Sequence, residues 1–180
     1  MNIYDELGVR RIINAAGTFT EYGGSLMSDE VISAWQEAAR HFVDLRELQN
    51  RVGERLARML GVEAALVTGG AASSILLGTA AAISVRDRDY ANCFPLSEAD
   101  LPYEVLRQVG HRDPYDRQVA AGGVRIVDVH SVEDAHRKVS PRTVMMMSYN
   151  FRLSEGMIGQ REWLDVAHHH SLPTLLDAAA

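Results

Sequence analysis

Three short stretches of the sequence combine ligand-binding residue types with the glycine turns or strand ends that would present them. They are TGGAASS at 68–74, SYN at 148–150 and Asp177, which ends the run PTLLD. Each stretch contains or follows a short apolar run typical of a buried strand. Because ligands of open parallel sheets bind beyond the carboxyl ends of the strands, these positions are the first candidates for a functional site.

The first of these stretches has the composition of a phosphate-binding turn. Gly69 and Gly70 allow the backbone to approach a ligand closely. Ala71, Ala72 and Ser73 open an alanine-rich helix whose free N–H groups and dipole favour an anion. The spacing matches neither a GxGxxG dinucleotide fingerprint nor a P-loop, which requires a lysine after the glycines. The alternative is that the two glycines only make a tight turn from strand to helix.

Asp177 places a carboxylate at the tip of an apolar strand, where its burial is costly unless a cation or hydrogen-bond donors pair with it. One suitable partner is the protonated ring nitrogen of pyridoxal phosphate (PLP), which proteins commonly hold with an aspartate. The alternative is that Asp177 caps a following helix. A phosphate-binding turn at the same edge of the sheet favours the cofactor interpretation.

Lysine and histidine offer fewer candidates. Lys138, the only lysine, lies near the end of a predicted helix, where a cation favours the helix dipole and water. A Schiff-base lysine must instead reach the cofactor and have a lowered pKa, so Lys138 does not suit that role. Adjacent residues of a helix point about 100° apart, so the consecutive histidines 168–170 cannot share one metal ion. We interpret them as a solvated helix end and predict no metal site.

The elements that position these residues follow from the hydrophobic pattern. Apolar residues at three- and four-residue spacing predict helices over 29–42 and 45–60. The remaining predicted elements are strands at 64–68, 104–108, 124–129, 143–149 and 173–178, and helices at 71–84, 114–121, 131–139 and 160–170. Apolar strands that alternate with helices indicate an α/β fold with a mainly parallel sheet covered on both faces. Residues 85–103 give no clear pattern.

Composition excludes several functional classes. The formal net charge of -6, without a local basic patch, argues against a nucleic-acid partner. No apolar run is long enough to span a membrane. The single cysteine, Cys93, cannot form an internal disulfide, and the first residues lack the apolar core of a signal peptide. We therefore expect a cytoplasmic protein.

Four separated blocks of the sequence resemble, in the same order, the PLP enzymes related to seryl-tRNA(Sec) selenium transferase. The blocks are 13–28, 42–74, 110–129 and 168–180. Within that family the chain is most similar to the D-glucosaminate-6-phosphate ammonia-lyase branch. The resemblance implies an aspartate-aminotransferase type of fold (PLP fold type I). It also implies an N-terminal arm and helix over 1–45 and a C-terminally incomplete PLP-binding large domain over 46–180.

The resemblance also assigns site residues by position. It implies that Asp177 holds the pyridine nitrogen, and that His111, in GHRDPYD, lies near the cofactor ring. A capping or core histidine is an equally good interpretation of His111. The resemblance implies that the cofactor phosphate is bound by Gly69, Gly70, Ala71, Ala72 and Ser73.

The function implied by the resemblance is a PLP-dependent lyase. Its substrate would be an amino acid or an amino sugar acid such as D-glucosaminate 6-phosphate, from which it eliminates an amine or a β-substituent, and the full-length protein would be a homo-oligomer. The family's Schiff-base lysine follows a further strand, so we expect no catalytic lysine in residues 1–180 and no turnover by them alone. The alternatives are a selenium transferase-type PLP transferase, disfavoured by the acidic balance and by a start close to the first block, and a non-catalytic binding or regulatory module.

Overall fold

The computed structural model describes residues 2–93 and 102–179. The chain divides into two compact units, Met1–Leu66 and Val67–Ala180. The division at residue 45 that the resemblance implies concerns the domains of a complete enzyme and stays a prediction.

The first unit is helical. Its elements are α1 (Ile3–Glu6), a 3-10 turn (Thr20–Tyr22), α2 (Asp29–Ala38) and α3 (Leu45–Leu60). Helix α3 has the predicted bounds, because the Asp44 carboxylate accepts hydrogen bonds from the N–H groups of Arg46 and Glu47, at 2.8 and 3.0 Å. It ends at Gly61, whose φ of 67° is the left-handed conformation that glycine adopts most easily.

Helix α2 ends at Ala38, four residues short of its predicted end. The N–H of Arg40 bonds to the carbonyl of Glu37, and the N–H of His41 bonds to that of Ala38, both at 3.1 Å. These three-residue hydrogen bonds tighten the chain into 3-10 geometry and terminate the helix. The apolar periodicity continues beyond this point and therefore overestimates the length of α2.

The second unit is an α/β layer structure. Its helices are α4 (Ala71–Arg86), α5 (Tyr90–Cys93), α6 (Asp116–Ala121), α7 (Val132–Lys138) and α8 (Gln160–His169). Its strands are β1 (Tyr103–Gln108), β2 (Val124–Val129), β3 (Thr143–Tyr149) and β4 (Thr174–Asp177), and its 3-10 turns are Val109–His111 and Asn150–Glu155. The strands form one parallel sheet in the order β2-β1-β3-β4. The predicted α/β fold is confirmed.

One prediction about a connecting segment needs correction, and a second segment, which gave no clear pattern, is described in part. The four-stranded sheet does not include residues 64–68, so the strand predicted there is wrong for the described part of the chain. An apolar segment becomes a strand only where a neighbouring strand supplies a hydrogen-bond ladder, and this sheet ends instead at β2 and β4. Within 85–103, α4 continues to Arg86 and α5 follows. Residues 94–101 lie outside the described residues.

The core has two layers, one on each face of the sheet. On the α4 side, Ile75 and Ile83 pack with Met145 and Met147. On the α8 side, Trp163 packs in a second cluster of buried residues from β1, β2, β3, α7 and α8. This two-sided burial explains why the strands are apolar throughout. No helix among the described residues is both long and apolar enough to cross a bilayer.

Candidate active site

The side chain of Asp177 faces the α4 side of the sheet at its carboxyl edge. In the β3–β4 ladder, Tyr149 lies opposite Asp177, and Met147 lies opposite Leu175. Because side chains alternate along a strand, Leu175 and Asp177 project to the same face as Met147 and Tyr149. That face packs against Ile75 of α4.

Helix α4 brings the glycine turn to the same edge. Its last residue, Arg86, donates a hydrogen bond of 3.1 Å to the carbonyl of Pro141, just before β3 begins. A Cβ added to Gly78 would lie 2.6 Å from Cδ1 of Leu175, so the middle of the helix packs against β4. From Gly78 back to Ala71 the helix rises about 10 Å, whereas β4 extends only about 7 Å past Leu175. The first turn of α4 therefore lies beyond the tip of β4.

The turn before α4 leaves backbone N–H groups without an acceptor inside the helix. Gly70 has φ 143° and ψ 178°, a conformation that essentially only glycine adopts. The hydroxyl of Thr68 donates to the carbonyl of Gly70 at 3.0 Å and lies 2.8 Å from the hydroxyl of Ser74. The first intrahelical bond runs from the N–H of Ser74 to the carbonyl of Gly70. The N–H groups of residues 71–73 precede that bond and have no acceptor within the helix.

Asp177 has one carboxylate oxygen occupied and one free. Its Oδ1 accepts a hydrogen bond of 3.0 Å from the N–H of Ala179, and the residue is 9% exposed. Among residues 2–93 and 102–179, no donor or cation pairs with Oδ2. A nearly buried carboxylate with a free oxygen suits a protonated ring nitrogen, and the backbone N–H groups of the turn on the same face suit a phosphate. The residues present thus fit the cofactor that the resemblance implies.

His111 is buried next to the carboxyl end of β3, and its contact with a cofactor ring stays a prediction. The imidazole ring is fully buried, and its Nδ1 accepts a hydrogen bond of 3.3 Å from the N–H of Tyr149. A Cβ added to Gly156 would lie 2.9 Å from its Nε2, which has no hydrogen bond within the described chain. Burial lowers the pKa of His111. This burial is compatible with the core-histidine alternative.

The side chain of Gln108, which the sequence interpretation did not identify, holds the segment 156–158 next to His111. The side-chain amide of Gln108 donates to the carbonyl of Ile158 at 3.1 Å and accepts from the N–H of Ile158 at 2.9 Å. Gln108 is 1% exposed. An uncharged amide that ends a buried strand was the available signal, because such a group requires partners.

A buried charge network, also absent from the sequence interpretation, joins β1, β2 and α6. Arg107 forms ion pairs with Asp116 and Asp128, which lies opposite it in the β1–β2 ladder. Burial penalises the charge of Arg107, but hydrogen bonds to both carboxylates raise its pKa overall. The hydroxyl of Tyr149 donates to Asp116 at 3.2 Å. Burial and this neighbouring carboxylate raise the pKa of Tyr149, so the phenol stays protonated.

Lys138 is paired rather than solvated. Its Nζ donates to the carbonyl of Asp128 at 2.7 Å and to Oδ2 of Asp134 at 2.8 Å. The side chain is partly buried on α7, where it ties the helix back to β2. These contacts support the view that Lys138 does not form a Schiff base, and they correct the expectation that water surrounds it.

The sequence is similar to those of known enzymes. No model of a protein family matches the sequence. The chain is 33% identical to the D-glucosaminate-6-phosphate ammonia lyase of Salmonella typhimurium (strain 14028s / SGSC 2262), over 99% of this chain and 51% of that protein. It is 31% identical to a 5'-C-glycyluridine monooxygenase-decarboxylase of Streptomyces sp, over 98% of this chain and 47% of that protein.

A solved structure supports the same relationship. The chain matches a structure of D-glucosaminate-6-phosphate ammonia-lyase with a TM-score of 0.88 and 29% identity, over all of this chain and 52% of the other. This match confirms the α/β fold and supports similarity to the ammonia-lyase branch. The chain spans about half the length of the relatives that it matches.

Proposed function

We propose that residues 1–180 are the N-terminal part of a PLP-dependent lyase acting on an amino acid or an amino sugar acid such as D-glucosaminate 6-phosphate. The observation that carries this proposal is the position of Asp177 and the first turn of α4 on one face and one edge of the sheet. The similarity to a protein named for that elimination supports the substrate class.

Each group would hold one end of the cofactor. The N–H groups of residues 71–73 would bind its phosphate, and Gly70 would let the backbone approach without a side chain in the way. The free Oδ2 of Asp177 would accept a hydrogen bond from the ring N–H and keep that nitrogen protonated. When bound, the cofactor supplies the electron sink for the elimination. Because Asp177 is nearly buried, its charge acts at a lower effective dielectric than in water.

The Schiff-base lysine belongs, in this proposal, to sequence outside residues 1–180. Lys138, the one lysine of the chain, is held by Asp128 and Asp134 on α7. Strand β4 is an edge strand in the described sheet, so a further strand can pair with it. A contact between His111 and the cofactor ring is also a proposal. We also propose, as the resemblance implies, a cytoplasmic homo-oligomer.

The test uses the full-length protein with added PLP and an Asp177→Asn variant. We expect the wild type to bind one PLP per chain and to release ammonia from D-glucosaminate 6-phosphate. Loss of one charge-assisted hydrogen bond should weaken PLP binding about 10- to 100-fold. Asp165→Asn, which changes an exposed aspartate of α8, is the matched control and should bind as the wild type does.

The outcomes separate the alternatives. PLP binding without ammonia release would retain the cofactor site but reject this substrate, and the reaction class would then be tested with other amino acids. A full-length protein that folds but does not bind PLP would overturn the proposal and favour the non-catalytic module. Normal binding by the Asp177→Asn variant would remove Asp177 from the site.

A further inference from the structure

Two helices on the α8 side of the sheet bring three imidazole rings together. They belong to His136 of α7, His169 at the end of α8, and His170, which follows it. One ring nitrogen from each lies within 4.8 Å of the others. Nδ1 of His136 is 2.9 Å from Nε2 of His170, and the ring centroids are 4.8–5.2 Å apart. The prediction of a solvated helix end without a metal site missed the distant third member, His136. Its argument from helical angles does not apply to His170, which lies after the last residue of α8.

Buried neighbours fix the position of this cluster. Ala135 and Ala167, each adjacent to the exposed histidine segments, are both fully buried in the core cluster of this face. Their small side chains allow α7 and α8 to approach closely. Ser171 has φ 51° and is the one non-glycine residue with positive φ among residues 2–93 and 102–179. This uncommon conformation follows His170 directly and turns the chain back toward β4.

The spacing of the nitrogens suits a small transition-metal ion. Tetrahedral Zn²⁺ with Zn–N bonds of about 2.0–2.1 Å requires its ligand nitrogens to lie about 3.3 Å apart. The 2.9 Å pair and the 4.8 Å limit of the cluster bracket this separation. His136 and His169 are exposed, so small rotations of their side chains can complete the geometry. A set of imidazoles alone selects zinc, copper or nickel rather than magnesium or calcium.

We propose that His136, His169 and His170 form a binding site for Zn²⁺ or a similar transition-metal ion. Three protein ligands leave the fourth position open to water or to a small anion. The nitrogen–nitrogen hydrogen bond between His136 and His170 requires one ring to be an acceptor, and therefore deprotonated there.

The site is separate from the proposed cofactor site. His170 comes four residues before β4 begins, whereas Asp177 ends that strand. The metal would therefore fasten α7 to α8 near the amino end of β4, with no contact to a ligand beyond the carboxyl edge. Its expected role is structural or regulatory, and it does not depend on whether the protein binds PLP.

The experiment titrates Zn²⁺ into the untagged full-length protein by isothermal calorimetry and records the visible spectrum with Co²⁺. We expect one Zn²⁺ per chain and an intense tetrahedral Co²⁺ spectrum that Zn²⁺ abolishes. His136→Ala, His169→Ala and His170→Ala should each weaken Zn²⁺ binding at least about tenfold. The matched control is His168→Ala, which removes an adjacent exposed histidine of α8 outside the cluster.

Thermal melting provides a second readout. Excess Zn²⁺ should raise the Tm of the wild type and of His168→Ala, a chelator should reverse the shift, and the three cluster variants should lose it. Should one cluster variant fail to fold, the other two and the chelator reversal still decide the question. No stoichiometric binding by the wild type, or equal binding by the cluster variants and the control, would overturn the proposal.

Discussion

At the scale of single residues, the sequence identifies candidates whose interpretation depends only on their neighbours along the chain. Gly70 and Asp177 were predictable because a glycine before a helix and a carboxylate after an apolar run each have few physical explanations. The structure places both at one edge of the sheet. Gln108 and His136 were not predictable, because each acquires its role from a partner 50 or 34 positions away. Only the folded chain brings such partners together.

Replacement of Gly70 is expected to be destabilising because of its backbone conformation rather than because of steric contact with neighbouring atoms. Within residues 2–93 and 102–179, no atom beyond its chain neighbours lies within 4 Å of a Cβ built on it, but its φ of 143° is strained for any L side chain. Gly70→Ala should therefore lower the free energy of unfolding by about 1–3 kcal/mol, measured by urea denaturation. Gly69→Ala is the matched comparison, because its Cβ would only meet Oγ of Ser73 at 3.5 Å. Equal losses in the two variants would contradict this explanation.

At the scale of elements, the sequence pattern was most informative where burial alone defines the element. Strands β2 and β3 were predicted with the bounds 124–129 and 143–149 that the structure has. Every position of β3 is buried, and the apolar positions of β2 are buried or partly buried, although its Arg125 is exposed. The segment 64–68 has the same composition but is not a strand. Local composition does not specify whether a neighbouring strand is present, and that partner decides the outcome.

The contact of α4 with β4 leads to a prediction about how the helix packs against the strand. A Cβ at Gly78 would overlap Cδ1 of Leu175, so Gly78→Val should push the helix away from the strand. Overpacking of this kind costs about 1–3 kcal/mol of unfolding free energy. Leu175→Ala removes the obstructing atoms, so the double variant should lose less stability than the sum of the single variants. A double-mutant cycle by urea denaturation measures this, and strict additivity would exclude the contact as the cause.

At the scale of the whole molecule, residues 1–180 leave apolar surface exposed. In the first unit, Trp35 of α2 and Leu45 of α3 are mostly exposed, although both helices are amphipathic. In the second, β4 is an edge strand whose Leu176 is 43% exposed. Proteins usually protect an edge strand with charge, a bulge or a covering segment. The relatives are about twice as long, so we expect the remainder of a full-length protein to cover these surfaces.

The β4 edge should therefore cause self-association of residues 1–180 when they are produced alone. Leu176→Lys places a charge on this edge and should shift the sedimentation-velocity profile from large species toward the monomer, because charged edges resist pairing. Val85→Lys is the matched control, since it puts the same charge on an exposed apolar position of α4, away from the edge. An equal effect of the two lysines would assign the association to general hydrophobicity. A monodisperse wild-type segment with a cooperative melt would contradict the prediction outright and favour a self-sufficient binding module.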